Sequence, residues 1–480
     1  MARLRSDPFV CMEGYCMNDP RFASIDAFAE QNREAILRDI TRLVAVPSVE
    51  GTPEPGAPFG PGPRAALDKA LEIAADLGLA THNADGYIGW AETGPVAEGQ
   101  KYLATITHCD VVPEGNGWDA DPYTVRVRDG WLLGRGVADD KGPAVLTLYA
   151  LKYLKDNGVQ LKYPVRALLG VNEETRMEDV DYYAEHYEQP AFCFTPDAEF
   201  PVCNGEKGGF NGELVSPVLE GGVIRDFEGG VAHNAVPDRS FCVVAVPASR
   251  LKPGAGLTFT EENGLTTIHA VGKSGHAATP EGTINAIGLI VNCLLESGVC
   301  SATETAYLQV VAKLHASTDG STLGIAADDG LFTPLTIIGG TIECKEGRLR
   351  QTFDCRYPTN TDADKLTAAM KAVCGTAATL ENTTSRVPFY IDAGSPAIQT
   401  LINTYNEVTG ENQKPFTMGG GTYARHFPYA VSFGPEHADL PLPEFAGPMH
   451  GANEGANFDK LIEALKIYIL ALLRLQEIEL

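Results

Sequence analysis

The 480-residue sequence lacks a hydrophobic run long enough to cross a bilayer. The longest apolar run near its C-terminus is IYILALL, which lies between Lys466 and Arg474. The first residues, MARLRSDPFVCMEGYC, lack the apolar core of a secretory signal peptide. These two features predict a cytoplasmic protein that does not span a membrane.

Positive charge is also scarce. Lys and Arg number 37 against 63 Asp and Glu, which gives a net charge of -26 at pH 7. So acidic a chain is repelled by nucleic-acid phosphates and by anionic membrane surfaces. Neither a nucleic acid nor a membrane is therefore expected as a partner.

Paired cysteines and nucleotide-binding loops are missing as well. The eleven cysteines are an odd number without a CxxC motif, and we expect reduced, mostly buried thiols. The glycine-rich stretches GRG (134–136) and MGGGTYAR (418–425) lack the lysine and serine of a phosphate-binding loop. Both predict tight backbone at a site rather than nucleotide binding.

The first third of the chain alternates strand and helix patterns. YLATITH, PVRALLGVNEE and AFCFTPD are short apolar runs typical of buried strands. GPAVLTLYALKYLKDNG has Pro near its start and Gly at its end, which predicts a helix. Near residue 390 the pattern returns with the strand YAVSFGP and the helix NFDKLIEALKIYILALLRLQ. This alternation predicts an α/β fold with a mixed, mostly parallel sheet.

The segment between these two parts has a different pattern. LTIIGGTIECKEGRLRQTFDCRYP predicts a hairpin turning at Glu346 and Gly347, and two helical stretches stand among the strands, GTINAIGLIVNCLLESG and TDADKLTAAMKAVCG. We therefore predict an inserted α+β domain of ferredoxin-like type at 208–388. Residues 1–207 and 389–480 then form one interrupted α/β domain, and two domains also suit the length of the chain.

Acidic residues and histidines follow the predicted strands. In open α/β sheets, ligand sites form beyond the carboxyl ends of the strands. The side chains placed there are His108, Asp110, Asp139, Asp140, Glu173, Glu174, Asp197 and His450. Any one of them alone is more often a solvated strand end. Two imidazoles and three carboxylates together are a good ligand set for two divalent ions. With one bridging carboxylate, each ion has three protein ligands and keeps the open position of a catalytic site.

Adjacent acids in this set can then take different roles. Asp110 can accept the far N–H of His108 and fix its tautomer, as outer partners of metal ligands usually do. Glu173, next to Glu174, can stand beside a water shared by the ions and take its proton.

The motifs in this order resemble the dinuclear zinc aminoacylase and carboxypeptidase family, and within it the bacterial dipeptidase V and carnosinase-like group. The resemblance covers nearly the whole chain. The matching segments are THCDVVPEGNGW, LLGRGVADDKGP, NEETR, TPDAEFP, EKG, NAVPD, GKSGHAATPEGTINAI, RYP, GGGTYAR and MHGANE.

The resemblance implies two Zn²⁺ per chain, with Co²⁺ or Mn²⁺ as substitutes. His108 and Asp197 would bind one ion, Glu174 and His450 the other, and Asp139 would bridge them.

It also implies roles beside the metal. Glu173 would be the general base, with Asp110 supporting the catalytic site, and Asp140 would follow a cis peptide.

The inserted domain would act as a lid over the substrate. The family pattern places His276 and Asn234 over the substrate and Arg356 on its free carboxylate. Gly420 and Gly421 would contribute backbone groups near the same end.

The implied activity is hydrolysis of dipeptides with a free C-terminal carboxylate, β-alanyl dipeptides included. We expect a monomer, because the insert is long enough for His276 to act within its own chain. Deacylation of N-acyl amino acids by the same chemistry is the enzymatic alternative. The non-enzymatic alternative is a metal-binding module without turnover, although metal binding alone would not need Glu173.

Two departures from the family pattern concern the substrate. GPEHADLPLPEFAGPMHGANE replaces the more usual short link before the metal histidine, and Ala235 stands where methionine is common. Arg356 also has a purely structural alternative, in which it pairs with a carboxylate of its own domain.

Overall fold

The structure is a computed structural model that describes residues 11–12, 15–16 and 19–480. The interpretation of MARLRSDPFVCMEGYC therefore falls mostly outside the described residues. The chain divides into two compact units. The first comprises the residues up to Asn204 with Ile391–Phe416 and Gly421–Leu480, and the second comprises Gly205–Tyr390 with Thr417–Gly420.

The helices of the described chain are α1 (Phe22–Val44), α2 (Pro61–Asp76), α3 (Lys141–Asp156), α4 (Glu178–His186), α5 (Ala286–Ser297), α6 (Ala302–Ala316), α7 (Ala363–Cys374), α8 (Pro396–Thr409) and α9 (Phe458–Leu475). Short 3₁₀ turns lie at Ala248–Arg250, Ser321–Leu323 and Tyr423–His426.

The strands up to the end of the first α/β segment are β1 (Cys11–Met12), β2 (Tyr15–Cys16), β3 (Ala80–Ala84), β4 (Ile88–Glu92), β5 (Leu103–His108), β6 (Arg126–Arg128), β7 (Trp131–Leu133), β8 (Val165–Gly170), β9 (Phe192–Thr195), β10 (Ala198–Glu199) and β11 (Cys203–Glu206). The later strands are β12 (Gly208–Val215), β13 (Ile224–Gly229), β14 (Ala235–Val236), β15 (Arg239–Val244), β16 (Leu257–Glu262), β17 (Leu265–Val271), β18 (Gly275–His276), β19 (Thr336–Lys345), β20 (Arg348–Tyr357), β21 (Thr379–Arg386), β22 (Phe389–Tyr390), β23 (Phe416–Met418), β24 (Ala430–Ser432), β25 (Pro435–Glu436) and β26 (Gly455–Asn457).

The main sheet of the first unit is mixed, as predicted. Its strand order is β11-β24-β9-β5-β8-β4-β3. The four central strands β24, β9, β5 and β8 run parallel, while β4, β3 and β11 pair antiparallel at the sides. Every residue of β5 and β9 is buried. Such continuous burial is expected for parallel strands and explains their unbroken apolar sequences.

Helices α1, α3 and α9 pack on one another in the core of this unit. Helix α3 is buried from Lys141 through Leu151, which fits its nearly continuous apolar sequence. Helix α9 begins after Asn457, whose side chain caps it by accepting a hydrogen bond from the Lys460 N–H. The predicted ligand Asp139 lies in the loop before α3, and His450 lies in the loop before β26, the strand that directly precedes α9.

The second unit is built on an eight-stranded antiparallel sheet, in the order β16-β17-β15-β13-β19-β20-β12-β21. Helices α5, α6 and α7 pack on this sheet and complete a separate apolar core. The predicted hairpin β19–β20 turns at Glu346 and Gly347, which both have positive φ, as a tight two-residue turn requires.

Among the described residues, no helix has both the length and the apolar character needed to span a bilayer. The cysteines at 109, 193, 203, 242, 293, 300, 344, 355 and 374 form no disulfide, and most of them are buried. The sequence analysis did not identify α4, α6 or α8. Helix α6 carries an unused signal, a capping box in which Ser301 and Glu304 bond to each other's backbone N–H groups.

Candidate metal centre

The parallel strands bring the predicted ligands to one edge of the first unit's sheet. His108 ends β5, Glu173 and Glu174 follow β8, and Asp197 follows β9. These three strands are neighbours and run in the same direction, so their carboxyl ends meet. Asp139 and His450 reach the same place from the loops before α3 and β26.

Asp139 lies between the two histidines. Its Oδ1 is 2.9 Å from Nε2 of His108, and its Oδ2 is 2.8 Å from Nε2 of His450. Each carboxylate oxygen therefore faces a different imidazole, which is the arrangement that a carboxylate bridging two ions requires.

The remaining predicted ligands lie around this pair. Nε2 of His450 is 3.1 Å from Oε2 of Glu174, and Nε2 of His108 is 3.9 Å from Oδ2 of Asp197. Glu173 joins His108 and Asp197 in a set whose donor atoms all lie within 4.8 Å of one another. The predicted base is thus within reach of the same space as the ligands.

His108 provides a test of whether these residues suit a metal ion. Its Nδ1 is 3.0 Å from the main-chain oxygen of Asp110 and 3.4 Å from that residue's Oδ1. The buried Nε2 has no partner of hydrogen-bond geometry in the described structure, although the Asp139 oxygen is close. A neutral imidazole that donates through Nδ1 leaves Nε2 as a free lone pair, which is what a metal needs.

The clustered carboxylates at this edge of the sheet favour the binding of cations. Burial, and then the charge of Asp197, raises the pKa of Glu173 well above its usual value. Burial also raises the pKa of Asp197 and Glu174, and the Asp139 charge adds to both. His450 donates hydrogen bonds to the carboxylates of Asp139 and then Glu174, which raise its pKa to about 11. Crowded buried carboxylates are ordinarily stabilised by pairing or by bound metal ions.

Asp110 fixes the two glutamates relative to His108. Its Oδ1 accepts the Glu173 N–H at 3.3 Å, and its Oδ2 accepts the Glu174 N–H at 3.1 Å. Because Asp110 also faces Nδ1 of His108, a single carboxylate connects the ends of β5 and β8.

Asp139 and Asp140 have different partners. Asp140 Oδ2 accepts the main-chain N–H of His108 at 3.1 Å, while Asp139 faces the two imidazole rings. The peptide bond between them is cis, as the family resemblance implied. Asp140 therefore fixes the backbone of the candidate ligand His108, whereas Asp139 belongs to the candidate ligand cluster itself.

Glu454 is a supporting residue to which the sequence analysis gave no role. Its Oε1 accepts the N–H groups of Gly136, Ala138 and Asp139 at 3.0, 3.0 and 3.2 Å. Its Oε2 lies 2.7 Å from Nη1 of Arg135, and both side chains are buried. Glu454 therefore shapes the loop that presents Asp139. It is the last letter of MHGANE, but nothing in the sequence connects it with a loop more than three hundred residues away.

We expect Glu454→Gln to weaken metal binding about 10–100-fold, the usual effect of removing an outer partner of a ligand. The amide keeps the shape of the side chain but removes the charge that faces Arg135 and the three N–H groups. Chelator competition measures the affinity, with the exposed Glu444→Gln as a control. Unchanged affinity in Glu454→Gln would show that this carboxylate does not position Asp139.

The predicted substrate residues His276, Asn234, Arg356 and Gly420 lie in the second unit, whereas Gly421 lies in the first. Strand β18 with His276 pairs with β14, which begins directly after Asn234. The Ala278 N–H donates to Nδ1 of His276 at 3.2 Å, so the neutral ring carries its proton on Nε2.

Arg356 is held by two partners of its own unit. Its Nε and Nη2 donate to the two carboxylate oxygens of Asp354 at 2.6 and 3.0 Å, and Nη1 donates to the Gly419 carbonyl at 3.2 Å. One N–H on Nη1 and one on Nη2 have no acceptor among the described residues. The alternative in which Arg356 only pairs within its own domain therefore has a partner in Asp354, while two N–H groups of Arg356 are left to donate.

Known proteins share both the sequence pattern and the fold. The sequence matches Peptidase family M20/M25/M40 over residues 104–474. It is 32% identical over 472 residues to the Beta-Ala-Xaa dipeptidase of Lactobacillus delbrueckii subsp. lactis, covering 94% of this chain and 98% of the relative. Human carnosine dipeptidase 1 superposes with a TM-score of 0.58 and 14% identity over 95% of this chain and 99% of its own. The YXEP protein of Bacillus subtilis, described as a dinuclear metal-binding peptidase from the M20 family, superposes with a TM-score of 0.53 and 10% identity over 93% and 99%.

Proposed function

Since the chain belongs to peptidase family M20/M25/M40, we propose that it is a two-zinc dipeptidase acting on dipeptides with a free C-terminal carboxylate. The observation that carries this proposal is the position of Asp139, whose two oxygens face His108 and His450 beside Glu173. A full-length relative named Beta-Ala-Xaa dipeptidase supports the substrate class, β-alanyl dipeptides included.

The donor set suits two zinc ions. His108 and Asp197 would hold one, Glu174 and His450 the other, and Asp139 both. Imidazole and carboxylate are common zinc ligands, and Co²⁺ or Mn²⁺ can occupy such sites as well. When bound, the ions would polarise the scissile carbonyl and acidify water.

Glu173 acts as the general base in this proposal. It takes the proton of the attacking water and passes it to the amine that leaves. Asp110 positions Glu173 by accepting a hydrogen bond from the Glu173 main-chain N–H. Burial keeps the Glu173 pKa high, so the carboxylate is a stronger base than an exposed glutamate.

His276 and Asn234 serve the substrate from the second unit. With its proton on Nε2, His276 can donate a hydrogen bond to the oxyanion that develops as the carbonyl is attacked. Asn234 precedes β14, the strand that pairs with the strand of His276, so the two residues stand on one small ribbon.

Arg356 binds the C-terminal carboxylate of the dipeptide. Asp354 and Gly419 fix its guanidinium, and its two remaining N–H groups can donate hydrogen bonds to a carboxylate. A tripeptide would place an amide where the carboxylate belongs and leave the arginine unpaired. Backbone groups of Gly420 and Gly421 lie in the adjoining segment of the chain.

We expect Arg356→Lys to lower kcat/KM for Ala-Ala by about 30-fold or more, because losing one partner of a desolvated charge pair has an effect of that order. Cleavage of Ala-Ala amide, which has no terminal carboxylate, should hardly change. Steady-state kinetics on both substrates provide the measurement.

Arg350→Lys is the matched control for this change. Arg350 lies on the same strand and also pairs with carboxylates, those of Glu213 and Glu381. The control should affect neither substrate. If Arg356→Lys lowered kcat/KM equally for both substrates, Arg356 would not bind the substrate's terminal carboxylate.

The chain acts as a cytoplasmic monomer in this proposal. Its support is the strongly acidic composition and a second unit that runs from Gly205 to Tyr390, long enough to hold His276 within the same chain. Analytical ultracentrifugation would test the monomer, and a stable dimer would overturn it.

A substrate panel tests the proposed activity directly. After metal reconstitution, dipeptides should be cleaved, whereas tripeptides and N-acyl amino acids should not. Cleavage of N-acyl amino acids alone would establish a deacylase instead. Metal binding without cleavage of any of these would indicate a binding module.

A further inference from the structure

A cavity of about 360 Å³ lies in the first unit. Three of its lining residues are chain neighbours of metal ligands. Ala138 precedes Asp139 and Met449 precedes His450. Glu199 follows Asp197 by two residues. A group bound in this cavity is therefore close to the reacting centre.

The walls of the cavity are mostly apolar. Trp131 and Leu461 line it from β7 and α9, and Leu440 lines it from the stretch between β25 and β26. An apolar wall of this kind favours a hydrocarbon stem.

Two carboxylates stand side by side in the lining. Glu199 and Glu436 are partners in the parallel pairing of β10 with β25. Neither carboxylate has a hydrogen-bond or ion-pair partner within the part of the chain that the structure describes. Lys460, also in the lining, is already matched by Glu463, with Nζ 2.8 Å from Oε1. The unmatched charge of the cavity is therefore negative.

The remaining titratable side chains of the lining do not change the negative sign of the cavity's charge. Burial lowers the pKa of His437, so this lining imidazole is neutral near pH 7. Burial, followed by the charges of Asp139 and Glu199, raises the pKa of Glu436 to about 7. A neighbouring cation would favour the ionised form of Glu436 and would be bound in return.

We propose that this cavity holds the side chain of the substrate's N-terminal residue and selects long side chains with a cationic end. The inference rests on the proposed function, because it needs a dipeptide whose carbonyl lies at the metal centre. The N-terminal residue carries the scissile carbonyl, so its side chain leaves the substrate backbone next to the metal centre, where chain neighbours of three candidate ligands line the cavity. Lysine and arginine combine an apolar stem with a charged end, and acidic side chains are repelled.

Kinetics on the reconstituted full chain test the proposal with Ala-Ala, Leu-Ala, Lys-Ala and Glu-Ala. We expect kcat/KM for Lys-Ala to exceed that for Glu-Ala by about tenfold or more, as opposite and like charges differ at a buried site. The reversed set Ala-Lys and Ala-Glu should show no such difference. Hydrolysis of Ala-Ala reports the dipeptidase activity itself. If Ala-Ala is cleaved but Lys-Ala, Leu-Ala and Glu-Ala have equal kcat/KM, only the cavity assignment is overturned. If no dipeptide is cleaved, the cavity assignment and the proposed function are both overturned.

Two variants locate the preference. Glu436→Gln should lower the Lys-Ala to Glu-Ala ratio about tenfold, whereas Asp439→Asn, an exposed acid of the same stretch outside the lining, should leave it unchanged. Ala438→Trp adds bulk to an exposed lining position and should lower kcat/KM for Lys-Ala and Leu-Ala relative to Ala-Ala. An unaltered ratio in Glu436→Gln, or equal effects of Glu436→Gln and Asp439→Asn, would overturn the assignment, as would unaltered size discrimination in Ala438→Trp.

Discussion

Glu173→Gln should bind metal as the native chain does and lose about 10²–10⁴-fold in kcat, the usual effect of removing a general base. The amide keeps the size of the side chain and leaves the Glu173 main-chain N–H on Asp110. It cannot take a proton from water. Measurements of kcat with Ala-Ala and of bound metal by elemental analysis test both halves of this expectation.

Glu185→Gln, an exposed change on α4, is the control and should behave as the native chain. Near-native kcat in Glu173→Gln would reject the base assignment. Loss of bound metal would make Glu173 a ligand, a role that its place beside His108 and Asp197 also allows.

Asp139→Ala should lose both ions and all measurable turnover. Its Oδ1 faces His108 and its Oδ2 faces His450, so each ion loses a ligand. His450→Ala removes a ligand from one ion only and should retain more metal. Elemental analysis after dialysis against a defined metal concentration compares the two variants.

Asp156→Ala, at the far end of the helix that follows Asp139, is the matched control and should retain full metal. If Asp139→Ala kept as much metal as His450→Ala, Asp139 would serve a single ion, and the bridging assignment would be wrong.

Local sequence patterns predicted the elements that form this site. Apolar runs without alternation indicated strands buried on both faces, and β5 and β9 are buried throughout. Pro near the start and Gly at the end of GPAVLTLYALKYLKDNG predicted α3. Helix α8 was missed although its signals are local: Pro396 follows Ser395 at its start, Gly410 follows its end, and its apolar residues recur at helical spacing.

The convergence of the candidate ligands could be predicted because parallel strands bring their carboxyl ends together. These side chains do lie together, while their roles as metal ligands and the roles assigned to Glu173, His276 and Arg356 stay predictions. What the sequence could not show are contacts between distant segments. The carboxylate of Glu454 is bound by Arg135 and by the N–H groups before Asp139, and no periodicity connects these positions.

The same limit applies to the substrate residues and the cavity. The Asp354 carboxylate that holds Arg356 lies two residues away on the same strand, a spacing that any extended segment shows. The cavity depends on how the stretch after β25 folds against α9 and β7, and its proline-rich sequence has no period from which that fold could be read.

The most direct test of the central claim is the activity of metal-free enzyme as zinc is added back in known amounts. Two ions sharing Asp139 predict that hydrolysis of Ala-Ala reaches its maximum at two equivalents of zinc per chain and that elemental analysis finds two ions at that point. Full activity at one equivalent, with one ion bound at saturation, would contradict the dinuclear site.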